Sequence, residues 1–303
     1  YERDLHPYYR PGGKVRALDT IRFSIPTHYG CYGECHFCAI TVHQGRTVRF
    51  RSRESIVKEA RTISRLKGFK GYITDLGGPT ANMYGFECKK KLKKGACPDK
   101  RCLFPEPCPS LNPNHRAHLE LIRAIEALPG VKKVFISSGL RYDLILADGK
   151  NGQAYLAKIA ADNVSGQMKI APEHVDPDVL RHMGKQTADQ LLAFKAAFDR
   201  QSRRSGKKQF LTYYLIAAHP GCTDEQMKRL KTFTRDKLKM TPEQVQIFTP
   251  TPSTYSTLMY ATEMDPFSMK PLFVEKDPKK KDRQKQVVTK KGHRPHPKKK
   301  RRR

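Results

Sequence analysis

Short apolar runs alternate along this chain with longer stretches whose apolar residues fall at helical spacing. Residues 21–26 (IRFSIP) read as a first strand that ends in a cysteine-bearing loop. Ser52 stands where an N-cap belongs, ahead of Ile56, Val57, Ala60, Ile63 and Leu66 on one helical face. Residues 72–76 (YITDL) give a second strand that runs into Gly77-Gly78-Pro79. A polar segment rich in Cys, Lys and Pro fills 84–112, and a helix is expected over 114–128. Residues 134–137 (VFIS), 168–171 (MKIA), 210–217 (FLTYYLIA) and 245–248 (VQIF) complete six strands. Helices are expected between them: one around 153–161, one opened by Asp176-Pro177, one over 187–203, and one opened by Thr223 with Gln226 as a capping box.

Strands alternating with amphipathic helices imply parallel βαβ units with right-handed crossovers. The fold class is α/β, and six such units build either an open doubly wound sheet or a partial barrel. After Phe273 apolar residues almost vanish, so 274–303 is expected to be a disordered basic tail. Residues 1–20 read as an N-terminal segment or linker. No apolar stretch approaches the roughly 20 residues that span a bilayer. A cytoplasmic protein without a membrane partner is therefore expected. Tyr1 in place of an initiating Met reads as a fragment or processed chain.

The formal charge of +30 sharpens this picture. Residues 276–303 hold fifteen Lys/Arg and two Asp/Glu, which leaves +17 for residues 1–275. Such a field favours polyanions, RNA first among them. The bland reading is a solvated surface with a solubilising tail.

Eight cysteines fall into groups. Cys31, Cys35 and Cys38 form C-x3-C-x2-C directly after the first strand, and three thiolates on one short loop can converge on one metal centre. A structural zinc or a fully protein-ligated cubane takes four protein ligands, so three leave a position open. In a cubane that open iron can bind a small molecule; a zinc site would need His28, His36 or His43 as well. Cys88, Cys97, Cys102 and Cys108 form a second possible metal site, zinc or iron–sulfur, whose gaps are longer than common zinc knuckles. A metal would supply folding energy to a segment with little core of its own. Cys222 stands alone and reads as a packed thiol.

The spacing C-x3-C-x-aromatic-C, with Phe37 as the aromatic, resembles the signature of the radical S-adenosylmethionine (SAM) superfamily. The resemblance implies a [4Fe–4S] cluster on Cys31, Cys35 and Cys38, with SAM chelated at the open iron and cleaved reductively to a 5′-deoxyadenosyl radical. It implies that Phe37 packs near the adenine and that Gly77-Gly78 offers backbone to the SAM amino group, Pro79 standing where relatives carry an acid. Ser138 and Glu173, at the ends of the third and fourth strands, are the candidates for the SAM ribose and carboxylate. PTHYGCYGECHFCAI, DLGGPTANMYG, ISSGLRYD and KIAPEHV resemble the YgiQ-type family of radical SAM proteins in particular. That resemblance implies a partial (β/α)6 TIM-like barrel over 21–273, sequence upstream of Tyr1, and an electron donor such as a flavodoxin-type reductant.

Three readings of function stay open: a radical SAM enzyme acting on an unidentified substrate, with RNA as the candidate class; a methylthiotransferase-like enzyme with an auxiliary cluster; and a non-catalytic, zinc-stabilised nucleic-acid-binding protein. No residue is assigned a catalytic role beyond cofactor binding.

Overall fold

The computed structural model describes residues 16–289. The first elements are α1 (Arg16–Ile21), β1 (Ser24–Pro26), β2 (His28–Tyr29), α2 (Ile40–Gln44) and β3 (Arg49–Phe50). They are followed by α3 (Arg53–Ser64), β4 (Tyr72–Ile73), β5 (Asp75–Gly77), α4 (Lys89–Lys94), α5 (Arg116–Glu126) and β6 (Lys133–Val134). The second half holds α6 (Tyr142–Ala147), α7 (Gly149–Lys158), β7 (Gln167–Glu173), α8 (Pro177–Met183), α9 (Ala188–Arg204) and β8 (Phe210–Ala217). It ends with α10 (Asp224–Asp236), β9 (Gln246–Ile247), α11 (Tyr255–Thr262) and α12 (Pro278–Val288).

The expected caps are in place. Ser52 accepts a hydrogen bond from the Ser55 amide, Asp176 accepts from Asp178 and Val179, and Thr223 with Gln226 closes a capping box. The inward faces of α3, α5, α9 and α10 bury Ile56, Leu121, Ile122, Phe194, Phe198 and Leu230 in one main core.

The strand ladder is parallel and follows chain order. β1 pairs with β5, β4 with β6, and β7, β8 and β9 form a three-stranded sheet, with a parallel bridge from Leu140 to Ile170 linking the two halves. Among the described residues no ladder joins β9 to β1, so the sheet is not closed.

The second and third strands are shorter than their apolar runs. The second breaks at Thr74, whose amide bonds Phe23. The third keeps backbone bonds to the second through Phe135 and ends where the amides of Ser137 and Ser138 donate to the Asp75 carboxylate, at 2.7 and 3.0 Å. A side chain there replaces a backbone partner, which satisfies the amides without extending the sheet.

Residues 274–303 do not form a disordered tail throughout, as their composition led us to expect. Asp277 caps α12 with Pro278 in its first turn, and Gln284 and Val288 are buried. Gln284 accepts from the Ala218 amide at 3.0 Å and donates to the Cys222 carbonyl at 3.1 Å. One cap and two buried side chains dock a helix whose composition is otherwise solvent-loving. Residues 290–303 and 1–15, including most of the expected N-terminal linker, lie outside the described residues. Among the described residues no helix is long and apolar enough to cross a membrane.

Candidate active site

Cys31, Cys35 and Cys38 sit on the loop between β2 and α2, and the antiparallel pairing of β2 with β3 closes that loop at its base. The Gly30 amide bonds the Gln44 side chain and the Cys31 amide bonds the Gly45 carbonyl. Gly30 has φ +85°, and a Cβ there would lie 2.7 Å from the Thr47 carbonyl oxygen. The turn therefore selects glycine twice over.

All three thiols are half-buried and unpaired by disulfides. Gly33 lies among them: a Cβ would stand 3.2 Å from the Cys31 sulfur, 3.7 Å from that of Cys35 and 3.0 Å from Nη1 of Arg141. The Gly33 amide donates to the Cys31 sulfur at 3.3 Å, and Arg141 Nη1 donates to the Cys35 sulfur at 3.4 Å. Burial pushes the thiols of Cys31 and Cys38 up, that of Cys38 to about 11.

Arg141 is itself a buried charge. Its guanidinium holds Asp143 with two bonds of 2.8 and 2.5 Å and donates to Gln186 at 2.7 Å. Burial works against both charges, yet their mutual attraction wins, keeping Arg141 well above and Asp143 below the usual ranges. Gln186 in turn donates to the Leu103 carbonyl, so this network runs from the thiols into the 84–112 segment.

A second link makes the same connection. Glu34, between the first two cysteines, is buried with φ +48° and pairs with Arg46 at 2.8 Å and with the buried Lys91 of α4 at 3.2 Å. Tyr32 of the loop is buried with Met83, Phe86, Cys88, Cys102, Leu103 and Leu111, and its hydroxyl donates to the Phe86 carbonyl. The 84–112 segment therefore shares a core with the cysteine loop.

The other sequence candidates occupy the strand ends. Gly77 lies against Ser138, and Gly78 lies against the His28 ring. The Ser138 hydroxyl donates to Asp75. Glu173 closes β7 at a register shift with φ +66°, a strained position for a non-glycine residue. Burial pushes its carboxyl up to about 7 against the pull of Lys185 and Arg141. Phe37 is half-buried and meets the His219 ring edge-on at 6.3 Å. His219 also bonds the Pro220 carbonyl and Ser256, and His174 accepts from the Asp176 amide. Both are hydrogen-bonded scaffold. Cys222 is a fully buried thiol.

The second cysteine group is divided by burial. Cys88 and Cys102 are buried in the small core, whereas Cys97 and Cys108 are half-buried. Burial raises the Cys102 thiol, and Lys91, hydrogen-bonded to it, pulls the other way. Among the described residues no three His, Cys, Asp or Glu side chains converge tightly enough for a single metal ion. A cubane makes no such demand, because its thiolates sit on different irons. The trio fits that group: three thiols on one closed loop, an amide and a guanidinium aimed at sulfur, and no Cβ at Gly33 to fill the space.

A cleft of about 1140 Å³ opens beside the loop, with Cys35 and Cys38 in its wall. Sequence reasoning missed Asp75, Arg141 and the Glu34–Lys91 pair. The Asp interrupting the YITDL strand was the one available signal; Lys91 is indistinguishable within a lysine run.

Comparison with known proteins gives the family and the fold. A UPF0313 protein of Fusobacterium nucleatum is 59% identical over 96% of this chain and 51% of its own length. UPF0313 proteins of Clostridium perfringens and Thermotoga neapolitana are 45% and 42% identical over 95% of this chain, with 43% and 50% of their own lengths covered. The chain thus spans about half the length of the curated relatives it matches. Among solved structures, the radical SAM methyltransferase TsrM of Kitasatospora setae, with cobalamin and a [4Fe–4S] cluster bound, superposes with a TM-score of 0.52 at 16% identity. That match covers 87% of this chain and 43% of TsrM, and it shows a shared fold. The model of the radical SAM superfamily matches residues 25–234. The chain belongs to the radical SAM superfamily, whose cofactors are a [4Fe–4S] cluster and SAM.

Proposed function

We propose that residues 21–273 form a radical SAM core, a partial (β/α)6 barrel that cleaves SAM reductively and modifies a substrate by radical chemistry. Cys31, Cys35 and Cys38 would hold the [4Fe–4S] cluster, which supplies the electron for cleavage. The observation that carries this reading is the loop itself: three thiols, closed at the base by β2 and β3, with Gly33 N–H and Arg141 directed at sulfur. Such donors stabilise thiolates and orient ligands. Gly77 and Gly78 would present backbone to the SAM amino group, and Phe37 would pack against the adenine. Ser138, fixed by Asp75, and Glu173 would take the ribose and carboxylate. A carboxyl poised near 7 can either accept or donate a hydrogen bond there. RNA is the partner class that the charge of +30 supports, and a flavodoxin-type protein is a fitting electron donor.

Anaerobic reconstitution with iron and sulfide, followed by reductant and SAM, tests the reading. The wild type should form 5′-deoxyadenosine, and the Cys31→Ala/Cys35→Ala/Cys38→Ala variant should form none and lose its cluster absorbance. Zinc with no cubane in the wild type would sink this function and leave a nucleic-acid-binding module. Iron well above one cubane per chain would favour a methylthiotransferase-like enzyme with an auxiliary cluster at Cys88, Cys97, Cys102 and Cys108.

A further inference from the structure

The cleft beside the cysteine loop has a chemistry that the SAM candidates do not explain. Phe37, Gly77, Gly78, Ser138 and Glu173 are all absent from its wall. Its volume of about 1140 Å³ exceeds ordinary ligand pockets, which end near 1,000 Å³. There is room for a cluster and a further ligand.

One wall is a cluster of rings tilted against one another. His36, next in sequence to Cys35, lies 5.6 Å from Tyr255 and 5.0 Å from Phe267, and these two are 5.0 Å from each other. Phe104, from the 84–112 segment, meets the His36 ring edge-on at 5.8 Å. Tyr255 and Phe267 are 47% and 53% exposed, unusual for two aromatic side chains in mutual contact. The Arg101 guanidinium lies 4.8 Å from one centroid and 5.1 Å from the other. Among the described residues no carboxylate pairs with Arg101, so its N–H edge is available to an anion. Lys100 stands exposed beside it, and α4 carries Lys89, Lys90, Lys93 and Lys94 on the outer face of the same segment.

We propose that this wall is a base-stacking and phosphate subsite that seats a nucleotide of single-stranded RNA beside the cluster loop. The proposal rests on the radical SAM reading above, whose substrate it specifies. A flat base can cover the exposed part of the Tyr255 or Phe267 ring beside the guanidinium, and every base has a face to offer. The charge-assisted bond from Arg101 then goes to phosphate. Duplex RNA hides its base faces, so the geometry selects unpaired nucleotides. A protein partner such as an acidic redox protein needs a broad face, of the order of 800 Å² on each side. A concave cleft lined by ring faces suits it poorly.

The test is fluorescence anisotropy of a labelled single-stranded RNA with the reconstituted holoprotein across a salt series. The Tyr255→Leu/Phe267→Leu variant should bind at least about fivefold more weakly with an unchanged salt slope, since stacking contributes about 1–3 kcal/mol per base. Tyr255→Phe, which keeps the ring, should bind like the wild type. Replacing Lys89, Lys90, Lys93 and Lys94 by Gln should lower the salt slope instead. Equal affinity of the double ring variant, or duplex RNA binding as tightly as single strands, would overturn the subsite. So would RNA failing to bind while an acidic redox protein does. SAM cleavage by the wild type is measured separately, so a failure of the radical SAM reading stays distinguishable from a failure of this subsite.

Discussion

The two cysteine groups use one residue type in opposite ways. Around Cys31, Cys35 and Cys38 the backbone does the gathering: β2 pairs with β3, Gly30 takes the turn, and the half-buried thiols share one loop. Around Cys88, Cys97, Cys102 and Cys108 side chains do the gathering: Cys88 and Cys102 are core residues beside Tyr32 and Leu103, while Cys97 and Cys108 are half-buried, the Cys108 amide bonding the Cys102 carbonyl. The 84–112 segment thus has apolar partners and a buried ion pair of its own. The comparison recasts the 84–112 segment as a wall clamped onto the cysteine loop by Lys91–Glu34 and Gln186–Leu103.

The most damaging way to probe the first region short of its thiols is Arg141→Gln. Asp143 would be left as an unpaired buried carboxylate, costing about 3–5 kcal/mol in denaturant unfolding. Iron retention after reconstitution should fall with it. Full stability and iron content would show that the guanidinium is incidental to the loop.

The clamp comes next. Lys91→Met removes the ammonium that Glu34 shares with Arg46 and should cost about 2 kcal/mol. Hydrogen exchange should rise in both the 31–38 loop and the 84–112 segment. A rise confined to one of them would separate the two regions that the structure joins.

Acid should distinguish them further, because the loop region holds His28 and His36 while 84–112 has no histidine. Burial lowers His28 to about 4 and His36 to about 3. Both pKa values are depressed, so their stabilising contribution is present above the usual 6.5 and is lost as pH falls below it. Each should cost at most about 1.4 kcal/mol per pH unit between 6.5 and 4.5. Unfolding curves of His36→Gln should show a shallower acid slope than the wild type, and an identical slope would remove His36 from the account.

The smallest effect is expected at Cys97. Cys97→Ser should change stability by less than about 0.5 kcal/mol and leave bound metal unchanged. Loss of zinc or iron, or unfolding of the segment, would break the comparison and place a metal at the second group.

The sequence was most legible where local chemistry suffices. Ser52, Asp176, Thr223 and Gln226 cap the helices expected of them, and β8 occupies the residues its apolar run predicts. The gathering of Cys31, Cys35 and Cys38 on one loop was legible because the three are close neighbours in the chain, so the spacing itself carries the geometry. Arg141 reaching Cys35 and Asp75 reaching Ser138 were not, since those pairs are 106 and 63 residues apart. The tail was misread because composition counts apolar residues, while a cap and two well-placed contacts were enough for α12.

Sequence alone, then, determined the α/β rhythm, the helix caps and the three thiols on one loop, all set by interactions over a few residues. Tertiary structure decided which charges face those thiols, how the 84–112 segment covers the loop, and that Arg101, Tyr255 and Phe267 meet in one cleft. Those contacts join residues far apart in the chain, and buried charges and rings acquire their partners only when packing brings distant elements together.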